Sequence, residues 1–184
     1  MTQSLIIEIP AELFAPAESS SYEGEIDIES FDFGPDSYVA TRPFTWNITV
    51  SNVGGAFLLT GFVSGRVLTS CARCLEEASF DIQGEIEGYF IIEGEGEAPD
   101  DMEQDEFDIL PEDNRIDLYP LIMAAIFVEL PLIPLCKEDC AGICPRCGAN
   151  LNEGPCDCDP EDLHHDDGIN PDNPFAALQN LKFD

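Results

Sequence analysis

The residues of this chain with the most chemistry in them are its thiols. Eight cysteines occur in 184 residues, and six of them fall in the run CKEDCAGICPRCGANLNEGPCDC, from Cys136 to Cys158. Cys144-Pro145-Arg146-Cys147-Gly148 has the form of a zinc knuckle. Two thiolates three positions apart straddle a tight turn, and the following glycine lets backbone amides point back at the sulfurs. Zinc takes four soft ligands in a tetrahedron, so one knuckle calls for a second pair. Cys156 and Cys158 supply it after a short loop. Cys136 and Cys140 form a further pair, and Cys71-Ala72-Arg73-Cys74 is another knuckle far upstream. The spacing favours two structural zinc ions. One is held locally by Cys144, Cys147, Cys156 and Cys158. The other, on Cys71, Cys74, Cys136 and Cys140, ties the middle of the chain to its end. An alternative grouping places Cys140 with Cys144 and Cys147 and leaves Cys136 or Cys158 out.

Sites built of four thiolates are closed, whereas a catalytic zinc keeps one position open for water and uses His or carboxylate ligands. The two histidines, His164 and His165, sit in an acidic stretch and read as solvated side chains rather than ligands. The enzymatic rival is a thiol oxidoreductase. Redox dithiols normally open a helix within alternating strands and helices. Here one dithiol ends a hairpin and the other lies in a Gly- and Pro-containing tail, so the expectation is no enzyme. Arg73, Lys137 and Arg146 lie within the knuckles. Their plain role is to offset the double negative charge of a four-thiolate zinc. Their functional role would be as candidate phosphate contacts.

The charge balance narrows the partners. Seven basic against 38 acidic residues give a net charge of −31. Nucleic-acid binding draws most of its affinity from basic groups on phosphates, so this chain suits a basic partner better than a bare RNA. It would also be repelled by anionic membranes. The opening MTQSLIIEIP lacks a basic and a long apolar region, and the most apolar run, residues 118–135, is broken by Pro120, Pro131 and Pro134. The expectation is a cytoplasmic protein without a membrane segment, where closely spaced cysteines are metal ligands rather than disulfides.

The elements that must position these thiols are mostly strands. Leu5–Ile9 reads as a first strand, and Tyr22–Ile28 as a second within an otherwise mixed stretch from 10 to 37. Phe44, Trp46, Ile48 and Val50 alternate with Thr45, Asn47 and Thr49, the period of a half-buried strand. Asn52-Val53-Gly54-Gly55 is a turn, and Phe57, Leu59, Val63 and Val67 line one face of the next strand. After the first knuckle a long amphipathic strand runs from Ala78 to Ile92, with Gly84 and Gly88 read as bends. The first knuckle therefore ends a hairpin. Residues 93–113 hold eleven acidic residues and no basic one, which predicts a mobile loop. Asp117 caps a helix over 117–129, whose stretch from Leu121 to Val128 is apolar on every side and so reads as fully buried. A last short helix opens at Asn173-Pro174. The fold class predicted is α+β: an antiparallel sheet, a meander, packed on a buried helix (residues 1–135), with a cysteine-rich zinc-binding tail (136–184).

The ordered set of motifs resembles the YceD family of large ribosomal RNA subunit accumulation proteins. It runs from Cys71-Ala72-Arg73-Cys74-Leu75-Glu76 through Ile116-Asp117-Leu118, Leu130-Pro131 and Pro134-Leu135-Cys136. It continues with Cys140-Ala141-Gly142-Ile143-Cys144-Pro145-Arg146-Cys147-Gly148-Ala149-Asn150-Leu151-Asn152 and closes on Asn173-Pro174-Phe175-Ala176-Ala177-Leu178. The resemblance implies a factor for accumulation of 23S ribosomal RNA and assembly of the large ribosomal subunit, with no known catalytic activity. Its partners would be ribosomal assembly intermediates; the charge, not the resemblance, suggests a basic ribosomal protein among them, with the 23S RNA as the alternative or additional contact.

Overall fold

The computed structural model describes residues 4–96, 99, 102–104 and 106–158. These carry nine strands and one α-helix. The centre of the sheet is a pair of 15-residue strands, β6 (Ala56–Ser70) and β7 (Glu77–Ile91), paired antiparallel along their whole length. On the other side of β6 two strands lie end to end. The long strand β5 (Phe44–Asn52) pairs with its first half, from Asn52 opposite Phe57 to Thr45 opposite Ser64. The short strand β4 (Asp36–Ala40) pairs with its second half at Leu68 and Val67. Strands β2 (Ser19–Ile26) and β3 (Ser30–Phe33) form the outer edges, beside β5 and β4. Strands β5, β6 and β7 form the expected meander; the return of β4 to β6 departs from it. One short parallel pairing joins β7 to β8 (Asp108–Ile109). A separate antiparallel ribbon pairs β1 (Ile6–Glu8) with β9 (Arg115–Asp117). The architecture is thus mostly antiparallel sheet with one helix, richer in strand than an α+β domain.

Alternation decides which face is buried. Phe57, Leu59, Val63 and Val67 on β6 and Ile82 and Ile86 on β7 point inward and lose nearly all contact with water. Each such side chain contributes about 1.5–3 kcal/mol relative to exposure. The opposite face carries polar cross-strand pairs. Arg66 holds Asp81 in a two-pronged ion pair at 2.7 and 2.8 Å, and the Thr45 and Ser64 hydroxyls meet at 2.9 Å. Asp81 accordingly titrates below the ordinary carboxylate range, because the Arg66 hydrogen bond favours its charged form.

Helix α1 (Tyr119–Glu129) packs on the inner face. Asp117 prepares its start, although the helix begins two residues later than the sequence suggests. The Asp117 carboxylate accepts the Tyr119 amide at 3.0 Å and the Leu5 amide at 2.9 Å, joining the β1 end to the helix entry. Pro120 sits in the first turn, where its missing N–H costs nothing. Pro131 pushes Leu130 to extended backbone (ψ 138°) and ends the helix.

Three expectations need correction. Gly84 and Gly88 are not bends: both lie in the regular β6–β7 ladder. A Cβ on Gly84 would collide with the Ala125 carbonyl, so this glycine is the seat that lets α1 approach the sheet. Nor is α1 buried all round, since Val128 is 81% exposed and Ala124 is exposed as well. Finally, the acidic stretch 93–113 is not one long loop: its described residues include β8, and Leu110 is buried, its amide donating a hydrogen bond to the Ile91 carbonyl at 2.8 Å. The expected last helix, the two histidines and several of the acidic residues lie outside the described residues.

The chain divides into two compact units, Met1–Ala72 with Glu76–Glu138, and Arg73–Leu75 with Asp139–Asp184. Among the described residues no helix is long and apolar enough to cross a membrane.

Candidate metal centres

The first knuckle closes the β6–β7 hairpin. The Cys71 amide donates to the Glu76 carbonyl at 2.7 Å, and the Ala72 amide to the Pro134 carbonyl at 2.7 Å. Cys71 and Cys74 are buried. The residue after Cys74, Leu75, has a left-handed backbone (φ 64°), a conformation that normally selects glycine.

The second knuckle is a miniature hairpin. The Cys144 amide donates to Ala149 at 2.8 Å, the Gly148 amide returns to Cys144 at 2.9 Å, and Ile143 bridges Asn150. Gly148 supplies the left-handed turn (φ 74°). Arg73 is part of this framework. Its carbonyl accepts the Ile143 amide at 3.1 Å, and its guanidinium donates to the Cys140 carbonyl at 3.0 Å. Gly142 (φ 76°) lies against Arg73, where a side chain would crowd it.

The structure gathers the thiols into two groups: Cys71, Cys74, Cys136 and Cys140, and Cys144, Cys147, Cys156 and Cys158. Within each group all four sulfurs lie within 4.8 Å of one another. Around a tetrahedral zinc with Zn–S bonds near 2.3 Å, neighbouring sulfurs sit about 3.8 Å apart, so the spacing suits that ion after a small contraction. No disulfide links the eight cysteines. The donor set is all sulfur, which suits zinc and other soft metals and not magnesium or calcium.

In the second group the local fields favour thiolate at Cys144 alone among the shifted thiols. Backbone amides of Cys147 and Arg146 donate toward the Cys144 sulfur and pull its pKa down to about 6. Hydrogen bonding to Cys147 and then burial push Cys158 up to about 12. The Cys158 amide favours a charged Cys156, but hydrogen bonding to Cys144 and burial outweigh it and raise that thiol as well. The charge is thus favoured on Cys144 and disfavoured on Cys156 and Cys158.

Sequence reasoning missed the two asparagines that brace the first group. The Asn152 side-chain amide donates to the Cys140 sulfur at 3.4 Å and to the Asn150 Oδ1 at 2.8 Å. Its carbonyl oxygen accepts the Ala141 amide at 2.9 Å. The only signal was the Asn-x-Asn spacing after the knuckle, which is compatible with any polar turn. Lys137 and Arg146 are exposed, each engaged in an interaction of its own.

Residues 59–182 match the family described as "Large ribosomal RNA subunit accumulation protein YceD". The chain belongs to the YceD family. It is 35% identical over 79 residues to the Arabidopsis thaliana "Large ribosomal RNA subunit accumulation protein YCED homolog 1, chloroplastic", covering 43% of this chain and 22% of that protein. It is 33% identical over 109 residues to an uncharacterized protein of Mycobacterium tuberculosis (strain ATCC 25618 / H37Rv), covering 59% of this chain and 52% of the relative. An uncharacterized protein of Mycobacterium leprae (strain TN) is 28% identical over the same length. The chain thus spans about half the length of the mycobacterial relatives it matches. No solved structure matches it. Both knuckles and every cysteine fall inside the YceD match, whereas β1 to β5 precede it.

Proposed function

We propose that this YceD-family chain is a cytoplasmic, non-enzymatic factor that supports 23S ribosomal RNA accumulation and assembly of the large ribosomal subunit. In this reading two zinc ions are held by the two cysteine groups, and the acidic surface engages a basic ribosomal protein. The observation that carries it is the pair of all-sulfur clusters. Four thiolates fill a tetrahedral zinc, so each ion would fix the fold and leave no position for a substrate. Bound zinc supplies on the order of 10 kcal/mol in small modules, enough to order a segment with little apolar core. The net charge of −31 supports a basic partner, since long-range attraction speeds encounter and like charge rejects competitors. The plant relative named for ribosomal RNA accumulation supports the process.

The test is recovery of the tagged full chain from a bacterial lysate at moderate salt, with and without nuclease. The result expected is a basic large-subunit protein that stays bound after nuclease. Recovery of ribosomal RNA alone, lost when Arg73, Lys137 and Arg146 are together changed to Ala, would replace this reading with direct RNA binding. A dithiol that cycles between oxidised and reduced forms in metal-loaded protein would replace it with a thiol oxidoreductase.

A further inference from the structure

One face of helix α1 is apolar and open. Pro120, Ala124 and Val128 follow each other at four-residue spacing and are all exposed, while Ile122, Met123, Ala125 and Ile126 are buried. Beyond the helix end Leu132 is exposed as well, at 93%. Single exposed aliphatic residues are ordinary on a protein surface, but Ala124 and Val128 stand one turn apart in the wall of one groove, and apolar groups grouped in this way mark an interaction site. The groove, about 520 Å³, is lined by Phe62, Ala124 and Val128 together with Glu85, Glu87 and Glu129. Among the described residues no basic one lines it.

We infer that this groove seats a segment of a basic protein in which an aliphatic or aromatic side chain is flanked by lysines or arginines. The inference rests on the reading that a basic protein is the partner, and it names the surface that meets it. The apolar wall withdraws the anchor from water, and three carboxylates within the same lining meet the flanking cations. The same carboxylates disfavour the other occupants. A second copy brings the same negative charge, and residues 159–184 hold seven acidic residues against one lysine. RNA phosphate is repelled in the same way.

The probe is a labelled Lys-Leu-Leu-Lys repeat peptide, compared with a Lys-Gly-Gly-Lys repeat of equal length and charge, titrated into the full zinc-loaded chain. The leucine peptide is expected to bind at least about tenfold more tightly, the gain of burying one aliphatic side chain. Val128→Ser, at an exposed position, should erase that gain without lowering the melting temperature. Glu85→Gln, Glu87→Gln and Glu129→Gln together should weaken both peptides and flatten their salt dependence. Equal binding of the two peptides, or unchanged affinity in Val128→Ser, overturns the inference. So does a self-associated chain that Val128→Ser dissociates, or a tenfold rise in affinity on Phe175→Ser, since those outcomes give the groove to a second copy or to the chain's own tail. If a basic ribosomal protein is retained equally by wild type and Val128→Ser, the groove fails while the proposed function stands. If the peptide binds the groove but no basic protein is recovered from lysate, the function fails while the groove stands.

Discussion

Leu75 and Gly148 hold the same place in the two knuckles: each follows the second cysteine of a Cys-x-x-Cys, and each has a left-handed backbone, φ 64° and 74°. The turn geometry is common to both, and only one of them has the residue that adopts it without strain. For a residue with a Cβ the left-handed conformation costs roughly 1–2 kcal/mol. Leu75 is 65% exposed, so little packing offsets the strain. Leu75→Gly should therefore stabilise the folded chain by about 0.5–1 kcal/mol, after the extra entropy of glycine in the unfolded chain. Gly148→Leu should destabilise by a similar or larger amount. Denaturant midpoints of the zinc-loaded proteins check both signs.

The seat of α1 gives a sharper effect. At Gly84 an added methyl meets the Ala125 backbone carbonyl, which cannot move without moving the helix. At Gly88 it would lie 3.0 Å from the Leu121 Cδ1, the end of a flexible side chain. Gly84→Ala should cost at least about 2 kcal/mol, in the range of overpacked cores, and Gly88→Ala clearly less. Equal losses in urea unfolding would mean that the helix is not held against β7 at this point.

Asn152 separates bracing from ligation. It donates to the Cys140 sulfur while its oxygen accepts the Ala141 amide. Asn152→Asp keeps the acceptor and replaces the donor with a negative charge beside a thiolate. Zinc affinity at the first group should fall about 10- to 100-fold, the usual range for a lost partner of a metal ligand. Competition with a chromophoric chelator measures it. An unchanged affinity would show that the sulfur needs no such donor.

Acid should strip the metal. Thiolates bind zinc, and protons compete for them, so the stability that metal supplies is present at neutral pH and lost as pH falls. The lowered Cys144, at about 6, means that this sulfur needs no deprotonation at pH 7. Cys156 and Cys158 have raised values and must each give up a proton when metal binds. Zinc binding at pH 7 should therefore release protons, seen as a calorimetric enthalpy that varies with the ionisation heat of the buffer. A buffer-independent enthalpy would contradict this.

Much of this arrangement could be read from residue order. The alternation in β5, β6 and β7 depends only on neighbours two apart, so Phe44, Phe57 and Ile82 announced their face directly. The thiol groups were also suggested by spacing, because each knuckle is complete within four residues. The short strands β3 and β4 were not legible. Phe31, Asp32 and Phe33 or Asp36 and Ser37 have the composition of a turn, and their pairing is imposed by the second half of β6. The role of Gly84 was hidden for a similar reason: a glycine that bends a strand and one that admits a helix look alike until the helix is placed. Val128 misled because an apolar residue on a helix reads as buried, whatever lies opposite it.

Whether two metal ions hold these thiols is decided by native mass spectrometry of the purified full chain, with the thiols counted after chelation. Two zinc ions per chain and eight reactive thiols after chelation are the predicted result. A metal-free native protein, or cysteines joined to one another as disulfides, would contradict it.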